Sequence, residues 1–452
     1  MRFTTEHDAI AYIFSTRDRM VKIPHGLDEN VRDPSITRRM LMRANLNLEG
    51  REYVTITGSK GKGSTAALCA KLLQHLGHTV GLLTSPHLIT WYERIRVNGR
   101  SIPQEDFLRI LSDLSPVIDL EASRLEPQQY ISPQGILLLI ALRYFDEQGV
   151  NAAVLEVGRG GRYDDVTMVP NRLALFTPII IEHAQYLGDT LERIAWHKSG
   201  IIDTGSYAYS VPQSREVLDV LQREADVKSA EFYWLSRIDM PEYLGETENG
   251  QRMKLGRYGE CELSLLGRYQ LENAALAVQG VGNMHARLKG IPHGSQEYVD
   301  AIRAGLADVR WPGRMHKLQD NPLVIVDGAV NTLSAKSFLD SAEGRLTHPV
   351  VTVLGVPQDR DYQAVYELYA QKSDAMVITS STINPRILFP DEETALTTAQ
   401  AYISDVQYRD TLPEALEAAY AKAGKEGTVL LGVAQPLVGE AMILWDVDMT
   451  QI

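Results

Sequence analysis

Short apolar runs alternate along the chain with longer stretches in which apolar residues return at every third or fourth position. Short runs bounded by glycine or polar residues are typical of buried strands, whereas the longer period is typical of helices with one buried face. Their alternation over most of the sequence predicts an α/β protein built mainly on parallel sheets. Such folds bind ligands at the carboxyl ends of their strands, so polar residues that follow an apolar run are candidates for a functional site.

The first predicted unit is a strand, a glycine-rich loop and a helix. The strand covers 53–57 (YVTIT), and the helix begins at Ser64. Within that helix Leu68, Leu72 and Leu76 recur at every fourth residue, which places them on one face. The loop therefore joins the carboxyl end of a strand to the amino end of a helix.

Polar residues follow two further predicted strands. The run 151–157 contains Glu156 near its end, and the run 173–181 ends directly before Glu182 and His183. A carboxylate that follows an apolar strand is costly to bury without a partner, so packing alone is a poor explanation of Glu156. An isolated histidine is often structural, and it is the position at a strand end that favours a functional role for His183.

The pattern starts again near Gly313. Helical patterns, one of them over 413–423, separate four further predicted strands. These strands cover 323–326, 350–354, 375–379 and 428–431. We therefore predict two domains: residues 1–311, which contain the glycine-rich loop, and residues 312–452, a smaller doubly wound (Rossmann-like) domain. The second domain lacks the glycine-rich dinucleotide fingerprint, and no internal repeat is present.

The composition is that of an ordinary globular enzyme. Hydrophobic residues make up 44% of the 452 residues and charged residues 23%, which excludes a disordered or fibrous chain. The 45 Lys and Arg against 58 Asp and Glu give a net charge of −13, which disfavours unspecific binding to nucleic acid or anionic lipid. Any anionic substrate then requires a local concentration of positive charge.

We expect a cytoplasmic protein that acts on small molecules, with neither nucleic acid nor membrane as a partner. The only cysteines are Cys69 and Cys261, too few for a disulfide framework or a cysteine zinc site and consistent with a reducing compartment. The longest apolar run, 135–142, is far shorter than the roughly twenty residues of a membrane span. The first residues include acidic side chains and lack the regions of a signal peptide.

The loop from Gly58 to Thr65 (GSKGKGST) has the features of a phosphate-binding loop. Glycines let backbone N–H groups turn towards phosphate oxygens, and the start of the following helix adds partial positive charge. Lys62 can reach the terminal phosphates, and Ser64 or Thr65 can supply a hydroxyl. The loop departs from the usual nucleotide motif, because Ile56 stands at the first glycine position. A glycine-rich turn with a solvated lysine is the simpler alternative, and the flanking strand and helix argue against it.

Further blocks stand in a fixed order along the chain. They are Thr84 to Leu88, Glu93 to Ile95 with Asn98-Gly99, Glu156 to Thr167, Glu182 to Ile201, Gly267 to Ala275, Trp311 to Arg314, and Asp327 to Asn331. With the loop, these blocks resemble the folylpolyglutamate synthase and dihydrofolate synthase family, within the wider group of Mur-type amide ligases. The resemblance implies a Mur-ligase-like α/β fold, with a large P-loop NTPase-type domain and a smaller Rossmann-like domain.

The resemblance implies a role for each matching residue. Lys62 holds the terminal phosphates of ATP, while Ser85, Glu156 and His183 hold magnesium, with two ions expected. The lysine that matches Lys198 is carbamylated in that family and binds the second ion, which an ammonium group could not do. The implied catalytic residues are Lys62, Glu156, His183 and Lys198. The other implied nucleotide ligands are Gly58, Gly61, Gly63, Ser64, Thr65, Asn273, Arg314 and Asp327. An ordinary salt-bridged lysine on a helix is the simpler explanation of Lys198.

The implied reaction is ATP-dependent amide formation. A carboxylate attacks the γ-phosphorus of ATP, and an amine captures the acyl phosphate. The resemblance implies a folate-type acid, the amino group of L-glutamate, and a monomeric enzyme. Domain closure about residues 311–314 is expected, because water would hydrolyse the acyl phosphate.

Four departures from the family pattern leave other substrates open. Val330 replaces a histidine, Glu182 an aspartate, Asp165-Val166-Thr167 the usual Ala-Thr-Asn, and Ser132-Pro133-Gln134-Gly135 the frequent Thr-Phe-Phe-Glu. One alternative is a paralogue that joins another acid or amine, since fold and motif do not determine the substrate. The others are a nucleotide-binding protein without ligase activity, and a kinase or simple NTPase. A kinase would leave a stable phosphorylated product, whereas a ligase leaves an amide and free phosphate.

Overall fold

The computed structural model describes residues 2–20, 26–289 and 294–452. An eight-stranded sheet forms the centre of the amino-terminal part. Its strands are β1 (Glu52–Thr57), β2 (Val80–Leu83), β3 (Ile95–Val97), β4 (Arg100–Ser101), β5 (Ala152–Glu156), β6 (Leu173–Phe176), β7 (Tyr207–Ser210) and β8 (Glu231–Trp234). They lie in the order β4-β3-β2-β5-β1-β6-β7-β8. Six of them are parallel, and β3 and β4 add an antiparallel edge.

Helices cover both faces of this sheet. They are α1 (Glu6–Asp18), α2 (Asp28–Val31), α3 (Ser35–Arg43), α4 (Lys62–His75), α5 (Gln104–Ala122), α6 (Pro133–Glu147), α7 (Ala184–Leu187), α8 (Leu191–Ser199), α9 (Arg215–Val227), α10 (Tyr269–Lys289) and α11 (Gln296–Asp308). Side chains of β1 pack against the helices on both faces of the sheet. Tyr53 packs with residues of α5 and α6, and Val54 and Ile56 pack with residues of α4 and α10. Because both faces are covered, these strands read as continuous apolar runs.

The longest apolar run of the sequence lies in α6. Every residue from 135 to 142 is buried there, as expected of a core helix that is apolar on all sides. Across the described ranges, the structure contains no helix with the length and apolar character of a membrane span.

A second, six-stranded sheet forms the centre of the carboxy-terminal part. It is preceded in the chain by a small antiparallel sheet of β9 (Glu242–Glu246), β10 (Gln251–Lys254) and β11 (Glu260–Leu263). The strands of the six-stranded sheet and the helices between them are β12 (His316–Asp320), β13 (Leu323–Asp327), α12 (Thr332–Ala342), β14 (Val350–Gly355), α13 (Tyr362–Ala370), β15 (Ala375–Thr379), α14 (Glu392–Gln400), β16 (Val406–Arg409), α15 (Leu412–Ala423), β17 (Thr428–Val433) and α16 (Gln435–Leu444). The strand order is β12-β13-β17-β14-β15-β16. All four strands predicted after Gly313 are confirmed, as is the α/β fold.

The predicted strand over 173–181 is correct only as far as Phe176, where β6 ends. The chain then crosses the glycine-rich loop instead of continuing in the sheet. The carbonyl of Pro178 accepts a hydrogen bond from the Ser59 N–H at 2.7 Å, and proline has no N–H to donate to a neighbouring strand. The apolar run therefore serves as the wall of the loop rather than as a longer strand.

The last residues of the chain return to the amino-terminal part. The N–H of Ser101 donates to the carbonyl of Thr450 at 2.9 Å, and the N–H of Ile452 donates to the carbonyl of Gly99 at 3.1 Å. The guanidinium of Arg96 also donates to the carbonyl of Met449 at 2.7 Å. The two sheets are thus connected twice, once near Gly313 and once through this returning segment.

Candidate active site

The glycine-rich loop between β1 and α4 is shaped by its neighbours as well as by its own turn. Gly61 has φ of 85°, in the left-handed region that favours glycine. A Cβ atom at Gly61 would meet the side chain of Asn273, and one at Gly58 would meet Thr177. A Cβ atom at Gly63 would lie 3.0 Å from the ring of Trp311. Neighbours outside the loop therefore favour glycine at Gly58 and Gly61, and they leave little room for a side chain at Gly63.

Two lysine ammonium groups converge on one carbonyl oxygen of this loop. The Gly58 oxygen accepts a hydrogen bond from Lys62 Nζ at 2.9 Å and from Lys198 Nζ at 2.7 Å. Lys198 is fully buried and also donates to the carbonyl of Arg159 at 3.1 Å and to Glu182 Oε1 at 3.2 Å. Burial, together with the charge of Lys62, lowers the pKa of Lys198 to about 8, although Glu182 opposes the shift.

Further positive charges surround the loop. Burial lowers the pKa of Lys60, and the charges of Lys62, Arg314 and Arg360 add to this shift. Arg360 belongs to the carboxy-terminal part, on the segment between β14 and α13. In a protein with a net charge of −13, this is the local concentration of positive charge that a triphosphate requires. Sequence reasoning missed Lys60, although it lies inside the motif, and it missed Arg360, for which no local signal exists.

Glu156 and Ser85 are in direct contact at the ends of β5 and β2. The backbone N–H of Ser85 donates to Glu156 Oε2 at 2.9 Å, and Glu156 is only 3% exposed. Burial raises the pKa of this carboxyl group to about 7, and the charges of Lys62, Arg314 and Arg94 partly oppose the shift. A bound divalent cation would offset the cost of burying the charge, and carboxylate and hydroxyl oxygens suit Mg²⁺. These two residues therefore fit a magnesium ion.

His183 lies on the other side of the loop. It adopts a left-handed conformation with φ of 52° just before α7, and it is exposed. Although the residue as a whole is exposed, partial desolvation of its imidazole lowers the pKa of this group; the charges of Lys198 and Lys62 add to the shift, and that of Glu182 opposes it. Burial opposes ionisation of Glu182, but Lys198 and Lys62 outweigh it, so the pKa of Glu182 is lowered. In the described part of the chain, no three His, Cys, Asp or Glu side chains form a metal-binding group. The metal ligands predicted from the sequence thus occupy two places, Ser85 with Glu156 and His183 with Lys198.

The first turns of α10 support the loop from behind. Thr65 Oγ1 donates to Asn273 Oδ1 at 3.3 Å, and Asn273 Nδ2 donates to Gln270 Oε1 at 2.8 Å. Gln270 in turn donates to Ser64 Oγ at 3.3 Å. Asn273 is only 3% exposed, so its amide holds the loop in place. The structure places Asn273 against the glycine-rich loop, and its contact with a nucleotide stays a prediction.

Arg314 and Asp327 meet at the junction of the two parts. Asp327 Oδ2 accepts hydrogen bonds from Tyr269 Oη at 2.9 Å and from the N–H of Met315 at 2.8 Å. Burial raises the pKa of Asp327, and the charge of Arg314 opposes the shift. Arg314 packs against Gly328, where any side chain would displace its guanidinium. Tyr269 was not identified from the sequence, because only the fold brings the start of α10 to the end of β13.

Of the departures from the family pattern, Val330 lies by itself, whereas Gly135 and Asp165 are neighbours in the structure. Val330 is half-buried against the apolar cluster of the second sheet and supplies no polar group. A Cβ atom at Gly135 would lie 3.2 Å from Asp165 Oδ1 and would collide with the hydroxyl of Thr37. Asp165 accepts a hydrogen bond from Thr37 at 2.6 Å and pairs with Arg32 at 3.1 Å. Gly135 and Asp165 therefore lie side by side, and a side chain at 135 would not fit beside the hydrogen bond between Thr37 and Asp165.

The segment that follows Ser85 links this site to the carboxy-terminal part. The Glu93 carboxylate, 6% exposed, accepts N–H bonds from Leu88 at 2.9 Å, Ile89 at 2.9 Å and Thr90 at 2.6 Å. Leu88 packs against α16 and the junction, since a Cβ atom at Gly313 would lie 2.9 Å from its Cδ1. One short segment therefore carries a candidate metal ligand and a contact with the second sheet.

Replacing Glu93 by glutamine is expected to lower the free energy of unfolding by about 2–3 kcal/mol, because three bonds to a buried carboxylate are weakened. The side-chain NH₂ of glutamine would also face backbone N–H groups, from which it cannot accept a hydrogen bond. Urea unfolding measures the change. Glu417→Gln on the exposed face of α15 is the matched control, with an expected change within about 0.5 kcal/mol. Equal effects at the two positions would contradict the role of Glu93.

Two family models match the chain. That of the Mur ligase middle domain covers residues 56–281, and that of the Mur ligase glutamate ligase domain covers residues 313–433. The dihydrofolate synthase/folylpolyglutamate synthase of Bacillus subtilis is 32% identical over 316 residues, which are 68% of this chain and 71% of that protein. The chain belongs to the folylpolyglutamate synthase family of Mur ligases. The resemblance seen in the motifs is thereby confirmed.

Other folylpolyglutamate synthases agree over more of the chain. The dihydrofolate synthase/folylpolyglutamate synthase of Mycobacterium tuberculosis is 30% identical over 432 residues, 88% of this chain and 86% of that protein. A structure of folylpolyglutamate synthase from that organism, complexed with ADP and AMPPCP, aligns with a TM-score of 0.83 at 25% identity and covers 98% of this chain and 100% of that one. The Thermotoga maritima folylpolyglutamate synthase aligns with a TM-score of 0.79 at 26% identity, with 98% of each chain covered. As a member of this folylpolyglutamate synthase family, the protein is an ATP-dependent carbon–nitrogen ligase.

Proposed function

We propose that this ligase adds L-glutamate to a folate-type carboxylate, dihydropteroate or a folate, through an acyl phosphate. The observation that carries the proposal is the convergence of Lys62 and Lys198 on the Gly58 oxygen, with Glu156 close enough to Lys62 and Arg314 for their charges to lower the cost of its ionisation. The names of the B. subtilis and M. tuberculosis relatives supply the substrates.

The proposed reaction has two steps, phosphoryl transfer to the acid and then amide formation. The acid carboxylate attacks the γ-phosphorus of ATP, the bond from that phosphorus to the β,γ-bridging oxygen breaks, and ADP leaves. Lys62 and Lys60 bind the phosphate oxygens while this charge moves. The amine of glutamate then attacks the acyl carbon, phosphate leaves, and the amine loses a proton. Trp311 lies over the loop at Gly63, where it helps to exclude water from the acyl phosphate.

Ser85 and Glu156 are the residues proposed to hold one Mg²⁺, and His183 with a carbamylated Lys198 the residues proposed to hold a second. A magnesium ion held by these residues would supply positive charge that offsets the charge of the terminal phosphates. Arg314 and Asp327 are proposed to contact the nucleotide from the junction, and Asn273 to hold the loop that receives it.

The carbamylation of Lys198 is supported by its surroundings. Only a neutral amine reacts with CO₂, and burial beside Lys62 favours the neutral form of Lys198. The carbamate would also carry negative oxygens into a position surrounded by positive charge. It would repel Glu182, which lies 3.2 Å from Nζ, unless a cation were bound between them.

A carbon-13 experiment tests this modification. Protein equilibrated with ¹³C-bicarbonate and Mg²⁺ is expected to show one carbamate carbon signal by NMR, and removal of CO₂ is expected to lower the ligase rate. Lys198→Met should lack the signal, whereas Lys60→Met, a matched change in the same positive cluster, should keep it. A wild-type rate that is unaffected by CO₂ removal, with no carbamate signal, would rule the modification out.

The proposed reaction is tested by incubating the protein with ATP, Mg²⁺, L-glutamate and dihydropteroate or tetrahydrofolate. We expect ADP, phosphate and an acid heavier by one glutamyl residue in equal amounts, measured by mass spectrometry. Omitting the acid should abolish ADP formation, and omitting glutamate should abolish the amide. Formation of ADP that never depends on an acid would overturn the ligase assignment, and a stable phosphorylated product would identify a kinase. Amide formation with a non-folate acid only would identify a paralogue.

We further propose that the enzyme acts as a monomer in the cytoplasm, with domains 1–311 and 312–452. The two matched family models lie on either side of this boundary, which supports the domain division. Both cysteines are free and buried, as suits a reducing compartment. Light scattering after gel filtration should give the mass of one chain, 50.4 kDa. A stable dimer at micromolar concentration would contradict the monomer.

A further inference from the structure

A cavity of about 270 Å³ lies far from the phosphate loop, between β7, the later turns of α10 and the segment 256–258. Tyr207 at the start of β7 lines it, whereas the phosphate loop follows the opposite, carboxyl end of the sheet. Asn273, at the loop, and Asn283, at the cavity, lie ten residues apart on α10. At 1.5 Å per residue this is roughly 15 Å, so the cavity is separate from the ligase centre.

The walls of the cavity combine aromatic rings with positive charge. Tyr207, Tyr209 and Tyr258 line it, together with Arg257 and Arg287, and none of the described lining residues is acidic. The guanidinium of Arg287 lies 5.7 Å from the centre of the Tyr207 ring, and that of Arg257 lies 5.3 Å from the centre of the Tyr258 ring. Such walls stack on flat rings and attract anions, in contrast to the net negative charge of the whole protein.

The Tyr209 ring is held in place by two neighbours, Tyr233 outside the cavity and Asn283 in its wall. The Tyr209 ring stacks on Tyr233 of β8, with centres 5.4 Å apart and planes 21° apart. Asn283 Nδ2 donates to Tyr209 Oη at 3.2 Å. A wall that is ordered before a ligand arrives loses little freedom on binding.

Arg287 retains a donor for a ligand. Its Nε donates to Glu52 at 3.0 Å and its Nη1 bonds to Asn283, so the side chain is fixed. Its Nη2 is buried and donates no hydrogen bond to any residue in the described ranges. A buried guanidinium N–H without an acceptor is costly, and an anionic oxygen in the cavity would satisfy it.

We propose that this cavity is a second ligand site, for a planar aromatic molecule that carries one carboxylate or similar anionic group. The flat ring stacks against Tyr207 and Tyr258, and the anionic group is bound by Arg287 and Arg257. The volume of about 270 Å³ suits one or two fused rings. This site does not depend on the proposed ligase substrates.

Quinoline-2-carboxylate is the probe, titrated calorimetrically into the full-length protein saturated with AMPPCP and Mg²⁺, so that the nucleotide site is filled. We expect binding with a dissociation constant below about 1 mM, weakened at least tenfold in Tyr207→Ala and in Arg257→Met. The matched controls are Tyr402→Ala and Arg215→Met, exposed residues outside the cavity, which should bind as the wild type does. Ligase activity is measured in parallel, but only binding of the probe decides the proposal.

Two comparison compounds test the chemical class. Cyclohexanecarboxylate retains the anion without the flat ring, and quinoline retains the ring without the anion, so both should bind at least tenfold more weakly than the probe. Absence of probe binding to wild-type protein would overturn the proposal. The proposal would also be overturned if Tyr207→Ala and Arg257→Met bound the probe as tightly as the wild type does. It would likewise be overturned if the two comparison compounds bound as tightly as the probe.

Discussion

Replacing Lys62 by methionine is expected to lower the rate of ATP-dependent amide formation by about 10³-fold, because the phosphate loop then lacks its mobile positive charge. In the structure Lys62 Nζ lies 2.9 Å from the Gly58 oxygen, a neutral partner that it can leave when a phosphate is bound. Methionine has a similar length and lies at a partly exposed position, so the fold should be retained. The measurement is the turnover number at saturating substrates, together with calorimetric binding of AMPPCP.

Lys71→Met is the matched control for this variant. Lys71 lies on the same helix, and its ammonium pairs with Asp308 at 3.2 Å, away from the loop. Its loss removes one surface ion pair, so the turnover number should stay within about threefold of wild type. If Lys62→Met kept more than about a tenth of the wild-type rate, Lys62 would not be the phosphate-binding lysine.

Replacing Glu156 by glutamine is expected to lower the same rate by at least about 10³-fold without destabilising the protein. The carboxylate is the buried oxygen donor proposed for Mg²⁺, and an amide oxygen carries no charge to bind the ion. The loss should appear as a lower turnover number that additional Mg²⁺ does not restore. Recovery of the full rate at high Mg²⁺ would show that another residue holds the ion.

The stability of the Glu156 variant has a predicted dependence on pH. Burial raises the pKa of Glu156 from 4.5 to about 7, so the unfolded chain loses this proton before the folded protein does. The wild type therefore loses stability as pH rises from about 4.5 to about 7, and glutamine does not. In EDTA, Glu156→Gln should be more stable than wild type by up to roughly 3 kcal/mol above pH 7, and equal to it near pH 4.

Urea unfolding at both pH values measures this difference. Glu121→Gln is the control, because Glu121 is fully buried but pairs with Arg39 and Arg43. Removing that carboxylate leaves two arginines without their partner and should destabilise the protein at neutral pH. Destabilisation of Glu156→Gln at neutral pH would show that burial of this carboxylate carries no net cost.

Much of the site was predictable because its motifs are local. The spacing of Leu68 and Leu72 predicted the helix after the loop, and both side chains are buried in α4. Lys62 and the loop glycines follow from the same short segment. The partners of Lys198 could not be predicted in this way, since Gly58 and Glu182 are 140 and 16 residues away from it.

The sequence alone determined the α/β class, the strand, loop and helix around Lys62, and the family, because periodicity and motif spacing depend on neighbours along the chain. Only the tertiary structure decided that Lys198 shares the Gly58 oxygen with Lys62 and that the charge of Arg360 acts on Lys60 in the same loop. The return of the last residues to β4 was also decided there. Burial, charge proximity and the pKa shifts they cause depend on distances between residues far apart in sequence, and only the packed fold determines those distances.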